Sequence, residues 1–133
     1  MKTVIAFGAS NSSGSINAQL ARYASSQLTG VSVNFLDLND FEMPIFGVDR
    51  ERSAGIPEPA QRFKALLGQA DGVLISFAEH NGSYSVAFKN LLDWCSRMEG
   101  SMWLDKPLCF LATSPGARGG ASVLQTRRAH DYG

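Results

Sequence analysis

The stretch Phe7-Gly8-Ala9-Ser10-Asn11-Ser12-Ser13-Gly14-Ser15-Ile16-Asn17 joins two segments of different periodicity. Before it, Thr3-Val4-Ile5-Ala6-Phe7 is an unbroken apolar run, as in a strand covered on both faces. After it, from about Ser15, apolar residues recur at the three- and four-residue spacing of an amphipathic helix. Strand, loop of small polar residues, helix is how α/β proteins present backbone N–H groups to an anion. Gly8 and Gly14 are expected to give the loop conformational freedom. Ser10, Ser12, Ser13, Ser15 and Asn17 add neutral donors, and no Lys or Arg lies inside the loop. A phosphate held here would rest on N–H groups, hydroxyls and the helix dipole, which suits one that stays bound rather than one being transferred.

Two other phosphate loops fit less well. A P-loop requires G-x-x-x-x-G-K-[ST], but here five residues separate Gly8 from Gly14 and Ser15 stands in the lysine position. The dinucleotide fingerprint G-x-G-x-x-G has Ser10 at its second glycine, where a pyrophosphate must approach the backbone closely. Asp37 falls at the end of the next strand, where a ribose-binding acid sits in that fold, but it also reads as an ordinary turn residue. A mononucleotide phosphate is the better match.

The 133 residues are enough for one domain with a real core, residues 1–133. With 44% hydrophobic and 18% charged residues the chain is globular rather than disordered. Twelve Lys plus Arg against twelve Asp plus Glu give zero formal charge, so nothing favours nucleic acid or an anionic membrane. No apolar run approaches the ~20 residues of a membrane span. The first strand begins after Met1 and Lys2, leaving no room for a secretory signal, and the expected compartment is the cytoplasm. Cys95 and Cys109 form no C-x-x-C motif and are expected to be buried small apolar groups, neither disulfide nor metal pair. His80 and His130 are too few for a metal site.

The first helix is expected over Ser15–Leu28, burying Ile16, Leu20, Tyr23, Ala24 and Leu28, with Thr29-Gly30 as its stop. Val31–Asp37 reads as a strand near the sheet edge, and Leu38–Pro57 as an irregular surface connection with an apolar plug. Met43, Ile45 and Phe46 of that connection either fill the core or line a pocket or subunit contact. A second helix over Pro57–Ala70 buries Ala60, Phe63, Leu66, Leu67 and Ala70. Gly72–Phe77 is a strand covered on both faces. A third helix over Ser83–Met98 carries Tyr84, Phe88, Leu91, Leu92, Cys95 and Met98 on one stripe, with Lys89, Asn90, Asp93 and Arg97 facing elsewhere. Pro107–Thr113 is the fourth strand. The alternation implies an α/β fold with parallel strands and right-handed crossovers. Ligands of such sheets bind beyond the strands' carboxyl ends, where the loops Gly8–Ser15, Ala78–Ser85 and Ser114–Gly120 emerge.

Those loops are compact and glycine-bearing, which lets backbone approach a flat ligand such as an isoalloxazine ring. His80 reads either as a ring neighbour or as an exposed loop histidine, Glu79 as a general base or a solvated carboxylate, and Arg118 as a phosphate partner or a surface arginine. No Ser–His–Asp order or carboxylate pair marks a hydrolase, and no catalytic side chain is assigned.

Gly8-Ala9-Ser10-Asn11-Ser12-Ser13-Gly14-Ser15-Ile16-Asn17 resembles the phosphate loop of the NADPH-dependent FMN reductase family. Ala78-Glu79-His80-Asn81-Gly82-Ser83, running into Lys89-Asn90-Leu91-Leu92-Asp93-Trp94, is similar to its second signature, Pro-Glu-Tyr-Asn followed by a Lys-Asn-x-x-Asp-Trp helix. Ser114-Pro115-Gly116 with Gly119-Gly120 resembles its third flavin loop. The resemblance implies a flavodoxin-like three-layer sandwich with a parallel sheet in the order 2-1-3-4, bound FMN, and NADPH or NADH as co-substrate. It also implies a flavin, quinone or similar small acceptor, and homodimers or homotetramers. By match, Ser10, Asn11, Ser12, Ser15, Ile16 and Asn17 belong to the phosphate site. Glu79, His80, Asn81, Gly82 and Ser83 would line the ring, with Ser114, Gly116 and Gly119 on its other side. The alternatives are a flavodoxin-like electron carrier, for which a neutral chain is poorly suited, and an inactive truncated fragment. Asn11 stands near a position where many members carry Arg, and Ala78 and His80 replace the usual Pro and Tyr. Members also continue through another strand and helix where this chain ends at Gly133, so a shortened C-terminus and an open edge at strand four are expected.

Overall fold

Strand β1 (Lys2–Ala9) is interior to a parallel sheet, which is why its apolar run is continuous. It pairs with β2 (Val31–Phe35) from Lys2↔Val31 to Ala6↔Phe35, and with β3 (Gly72–Phe77) from Val4↔Gly72 to Ala9↔Phe77. Strand β4 (Leu108–Ala112) pairs with β3 from Val73↔Leu108 to Phe77↔Ala112, giving the order β2-β1-β3-β4. The computed structural model describes residues 1–79 and 83–112, and all statements of structure concern those residues. Within them β2 and β4 are the outer strands, and the flavodoxin-like order is the expected one.

Helix α1 (Ile16–Ser26) covers one face of the sheet, while α3 (Glu58–Gln69) and α4 (Val86–Cys95) cover the other. The α3–α4 face carries an aromatic core. Phe7 meets Phe63 edge-on at 5.8 Å, Phe63 meets Phe41 at 5.5 Å, and Phe77 meets Phe88 at 5.2 Å. Truncating Phe63, wholly buried here, would cost about 3–5 kcal/mol.

The α1 face is built differently, and the expected buried stripe is corrected. Ile16, Tyr23 and Leu28 are exposed, whereas Asn17, Ala21 and Ser25 face the sheet. The cause is proximity. A Cβ on Gly8 would lie 2.4 Å from the backbone nitrogen of Ala18, so the helix lies against β1 with room only for small side chains. The helix ends at Gln27, before the left-handed Gly30.

The connection 38–57 is more regular than expected. A 3₁₀ turn spans Leu38–Phe41, with Asp37 as its cap, and a short helix α2 spans Val48–Ala54. Leu38 and Phe41 are the buried plug, Met43 and Phe46 pack against the core, and Ile45 is exposed. One stripe of α4, continued by Arg97 just past its end, stitches the connection down. Asn90 donates Nδ2 to the Met43 and Pro44 carbonyls (3.2 and 3.1 Å) and accepts from the Phe46 N–H (2.8 Å). Trp94 Nε1 donates to the Pro44 carbonyl at 2.8 Å while its ring meets Phe46 edge-on, and Arg97 pairs with Glu51 at 3.0 Å. Thus Asn90 and Arg97 do not simply face solvent.

Helix α4 starts three residues later than expected, with Ser83 and Tyr84 ahead of it. Lys64, missed on the α3 face, is buried and donates Nζ to the carbonyls of Ser101 (2.6 Å) and Met102 (3.2 Å). It thereby anchors the turn through left-handed Gly100, Leu104 and Asp105 that leads into β4. Both cysteines are free. Cys95 is buried as expected, but Cys109 is exposed because β4 lies at the border of the described sheet.

Candidate cofactor site

The β1–α1 loop leaves the carboxyl end of β1 and is held mainly by its own groups. Ser10 is buried, and its Oγ accepts from the Ser12 N–H at 3.1 Å. Ser15 is the α1 N-cap, its Oγ accepting from the Ala18 N–H at 3.1 Å, while its own N–H donates to the Ser12 carbonyl at 3.3 Å. Because both hydroxyl oxygens act as acceptors, each retains its hydrogen for donation outward. Ser12 and Ser13 are exposed beside the positive end of the α1 dipole.

Gly8 and Gly14 do not act through left-handed backbone, since neither has a positive φ. Gly8 acts by lacking a Cβ, which lets the first turn of α1, and the loop in front of it, sit directly against the strand. That close seating and the neutral donor set fit a phosphomonoester. Ile16 is exposed through its side chain and stands at the helix start, next to the Ser15 cap. Asn17 is turned inward, where its Oδ1 accepts from Ser76 Oγ at 2.8 Å, bracing the helix start against β3. The Asn11 carbonyl accepts from Asn39 Nδ2 at 3.1 Å and ties the loop to the 3₁₀ turn.

Ser85 is a residue bracing the first loop that sequence reasoning missed. It caps α4, its Oγ accepting from the Phe88 N–H at 3.3 Å, and donates to the Ala9 carbonyl at 2.7 Å. This buried bond fastens the second loop's exit to the start of the first. The signal available was a serine three residues before Phe88 at the head of an apolar period. Glu79 and Ser83 are half-buried and flank the second loop, which leaves β3 beside the end of β1. His80, Asn81 and Gly82, and Ser114, Gly116 and Gly119 of the third loop, lie outside the described residues. Arg118 and His130 do too.

Two clefts flank the first loop. One, of about 230 Å³, lies between Asn11, the 3₁₀ turn, Met43–Ile45 and the head of α4. The other, of about 400 Å³, lies between α1 and the carboxyl end of β2 and is bordered by Ser12, Ser13, Arg22, Phe35 and Asp37. In the second cleft the Arg22 guanidinium lies 4.0 Å over the Phe35 ring. Asp37 Oδ1 there accepts from both the N–H (2.9 Å) and Nδ2 (3.0 Å) of Asn39, so the turn role read from sequence is real. Among the described residues no cluster of His, Cys, Asp and Glu could hold a metal, and no helix is long and apolar enough to cross a membrane.

Known proteins are similar to this chain. The chain is 39% identical over 109 residues to a 2-hydroxy-1,4-benzoquinone reductase of Burkholderia sp, covering 80% of this chain and 57% of that protein. It is 31% identical over 99 residues to an NADPH:quinone oxidoreductase of Arabidopsis thaliana, covering 74% of this chain and 49% of that one. The chain therefore spans about half the length of these relatives. Among solved structures, the flavoenzyme NAD(P)H:(acceptor) oxidoreductase FerB from Paracoccus denitrificans superposes with a TM-score of 0.78 at 32% identity, over 98% of this chain and 70% of that one. With a family model matching residues 2–130 and these relatives in agreement, the chain belongs to the NADPH-dependent FMN reductase family.

Proposed function

We propose that the protein is an FMN-dependent NAD(P)H oxidoreductase acting on a flavin, quinone or similar small acceptor. The observation that carries this reading is the β1–α1 loop, seated against β1 at Gly8 and presenting hydroxyls and a capped helix start without a single cation. Such a loop grips the phosphate of a mononucleotide that is not consumed. FMN held by this loop would supply the redox chemistry that links a reduced nicotinamide to the acceptor.

The chain's own part is position. Ser10, Ser12 and Ser15 hold the phosphate end, and Asn17 and Ser85 keep the loop fixed against β3 and α4 from behind. Asn11, Glu79, His80, Asn81, Gly82, Ser83, Ser114, Gly116 and Gly119 complete the cofactor site in this reading. Its counterparts named as quinone reductases support a quinone-type acceptor. Exposed Ile45, Val48 and Val86 support a homo-oligomer, and two free thiols suit a reducing cytoplasm.

The test is reconstitution with FMN followed by anaerobic stopped-flow absorbance. A yellow protein bleached by NADPH or NADH is the expected outcome. A yellow protein inert to both is an electron carrier, and a colourless one that rejects added FMN is an inactive fragment; either ends the proposal.

A further inference from the structure

The larger cleft, between α1 and the end of β2, shares Ser10, Ser12 and Ser13 with the phosphate loop and runs from it past Arg22, Phe35 and Asp37, which the FMN reading does not use. Its walls are chemically particular. The Arg22 guanidinium carbon lies 4.0 Å from the centre of the Phe35 ring, and among the described residues no carboxylate pairs with it. Arg22 and Phe35 both border the cleft. Guanidinium planes stack on flat π systems, purine bases among them.

Across the cleft, the carboxylate of Asp37 is held in place through Oδ1 by two donors from Asn39, leaving Oδ2 without a hydrogen bond among the described residues. It stands at the carboxyl end of the strand beside β1, where an acid in a doubly wound sheet meets a ribose hydroxyl. Ser12 and Ser13 border the same cleft and belong to the phosphate loop, so a ligand lying here reaches the cofactor site along one continuous rim.

We propose that this cleft binds the adenosine end of the reduced nicotinamide dinucleotide, adenine stacking on Arg22 and a ribose hydroxyl donating to Asp37. The assignment rests on the oxidoreductase reading, since it supplies that enzyme with a second anchor for its reductant. Both residues act as binding residues remote from the reacting atoms. They set how tightly a dinucleotide is held, and a reductant lacking adenosine bypasses them.

The test uses the FMN-loaded full chain. In isothermal titration, ADP-ribose binds the wild type, and Arg22→Ala weakens it by about tenfold or more, as for loss of a charged partner. Asp37→Asn, which keeps an Oδ1 acceptor for Asn39, weakens it about fivefold or more. In anaerobic stopped flow, each variant raises the half-saturating concentration of NADH or NADPH by a matching factor. That of reduced nicotinamide mononucleotide changes less than about twofold. A penalty from Asp37→Asn with NADH alone assigns a 2′-hydroxyl ligand, and a penalty with both assigns contact at a hydroxyl the two share. Failure of wild-type protein to bind ADP-ribose at millimolar concentration, or equal changes for all three reductants, overturns the proposal while leaving the oxidoreductase reading intact. If no reductant bleaches the flavin, the oxidoreductase reading falls, and the ADP-ribose titration still decides whether the cleft binds an adenosine ligand.

Discussion

Gly8→Ala is the substitution on which the site's construction can be tested most directly. The added Cβ would stand 2.4 Å from the Ala18 nitrogen, 2.7 Å from its Cα and 2.9 Å from the Asn17 carbonyl carbon. Ordinary contact begins at about 3.4 Å, so the first turn of α1 must retreat by about 1 Å. All three atoms are backbone, and no side-chain rotation relieves them. Overpacking of this kind costs about 1–3 kcal/mol, and the lower chain entropy of alanine in the unfolded state returns about 0.4–1 kcal/mol. The net expectation is a loss of about 1–2 kcal/mol in urea unfolding, followed by the fluorescence of buried Trp94 and Trp103. The same retreat carries the phosphate loop with it. A 1 Å shift stretches hydrogen bonds at the helix start beyond useful length, and loss of one charge-assisted bond weakens FMN by about tenfold or more in a flavin-fluorescence titration. Gly14→Ala is the matched control. Nothing lies within 4 Å of its Cβ position and its φ is not positive, so stability should stay within about 0.5 kcal/mol and FMN affinity within about threefold. Indistinguishable behaviour of the two variants would refute the steric account of the loop.

Three further substitutions probe the scaffold. Asn90→Ala removes three hydrogen bonds to the 43–46 segment and should cost about 2–3 kcal/mol, with faster proteolytic cleavage between residues 43 and 54; an unchanged digestion pattern would contradict the stitching role. Ser85→Ala loses the α4 cap and the bond to Ala9, costing about 1–3 kcal/mol, and Ser85→Thr should recover most of it in the same urea assay. Burial pushes the Cys95 thiol from 9.0 up to about 12, with nearby Lys64 drawing it back. The unfolded chain therefore releases this proton first, so the stability tied to the neutral thiol is whole below about pH 9 and drains away toward about pH 12. Between about pH 8.5 and 10.5 the wild type should lose about 2 kcal/mol more than Cys95→Ala. Lys64, its own pKa lowered chiefly by burial, gives the opposite slope in both proteins and cancels to first order in the comparison. Parallel stability curves would discard the buried-thiol account.

Much of the fold was legible because periodicity and loop chemistry agreed. The continuous runs of β1 and β3, the short helices between them and the serine-rich loop each pointed to one parallel sheet. The α1 face was misread for a reason that periodicity does not register. Ile16, Tyr23 and Leu28 keep helical spacing, yet the glycine opposite Ala18 draws the helix in until only Asn17, Ala21 and Ser25 fit beneath it. The 38–57 connection was misread because α2 buries none of its residues and so carries no hydrophobic period, the segment being held instead by Asn90 at Phe46 and by Arg97 at Glu51, some forty residues later. Within the site, Ser10, Ser12 and Ser15 were visible from loop composition, whereas Ser85 acts through a bond to Ala9 that only the tertiary fold brings into reach.

The two faces of the sheet are unequally fastened. Under α3 and α4 interlocked aromatic rings resist separation, while beneath α1 the buried apolar residues are Ala6, Ala21 and Leu74, with Val4, Ala24, Phe35 and Leu111 partly buried around them and the Ser76–Asn17 hydrogen bond alongside. Helix α1 is therefore expected to open before α3 and α4 in sub-global fluctuations, with amide hydrogens exchanging sooner than theirs. The phosphate grip is thus mounted on the less firmly fastened face of the sheet. Cofactor occupancy would clamp that helix down, making saturation with flavin a determinant of how long the protein survives as well as of its colour.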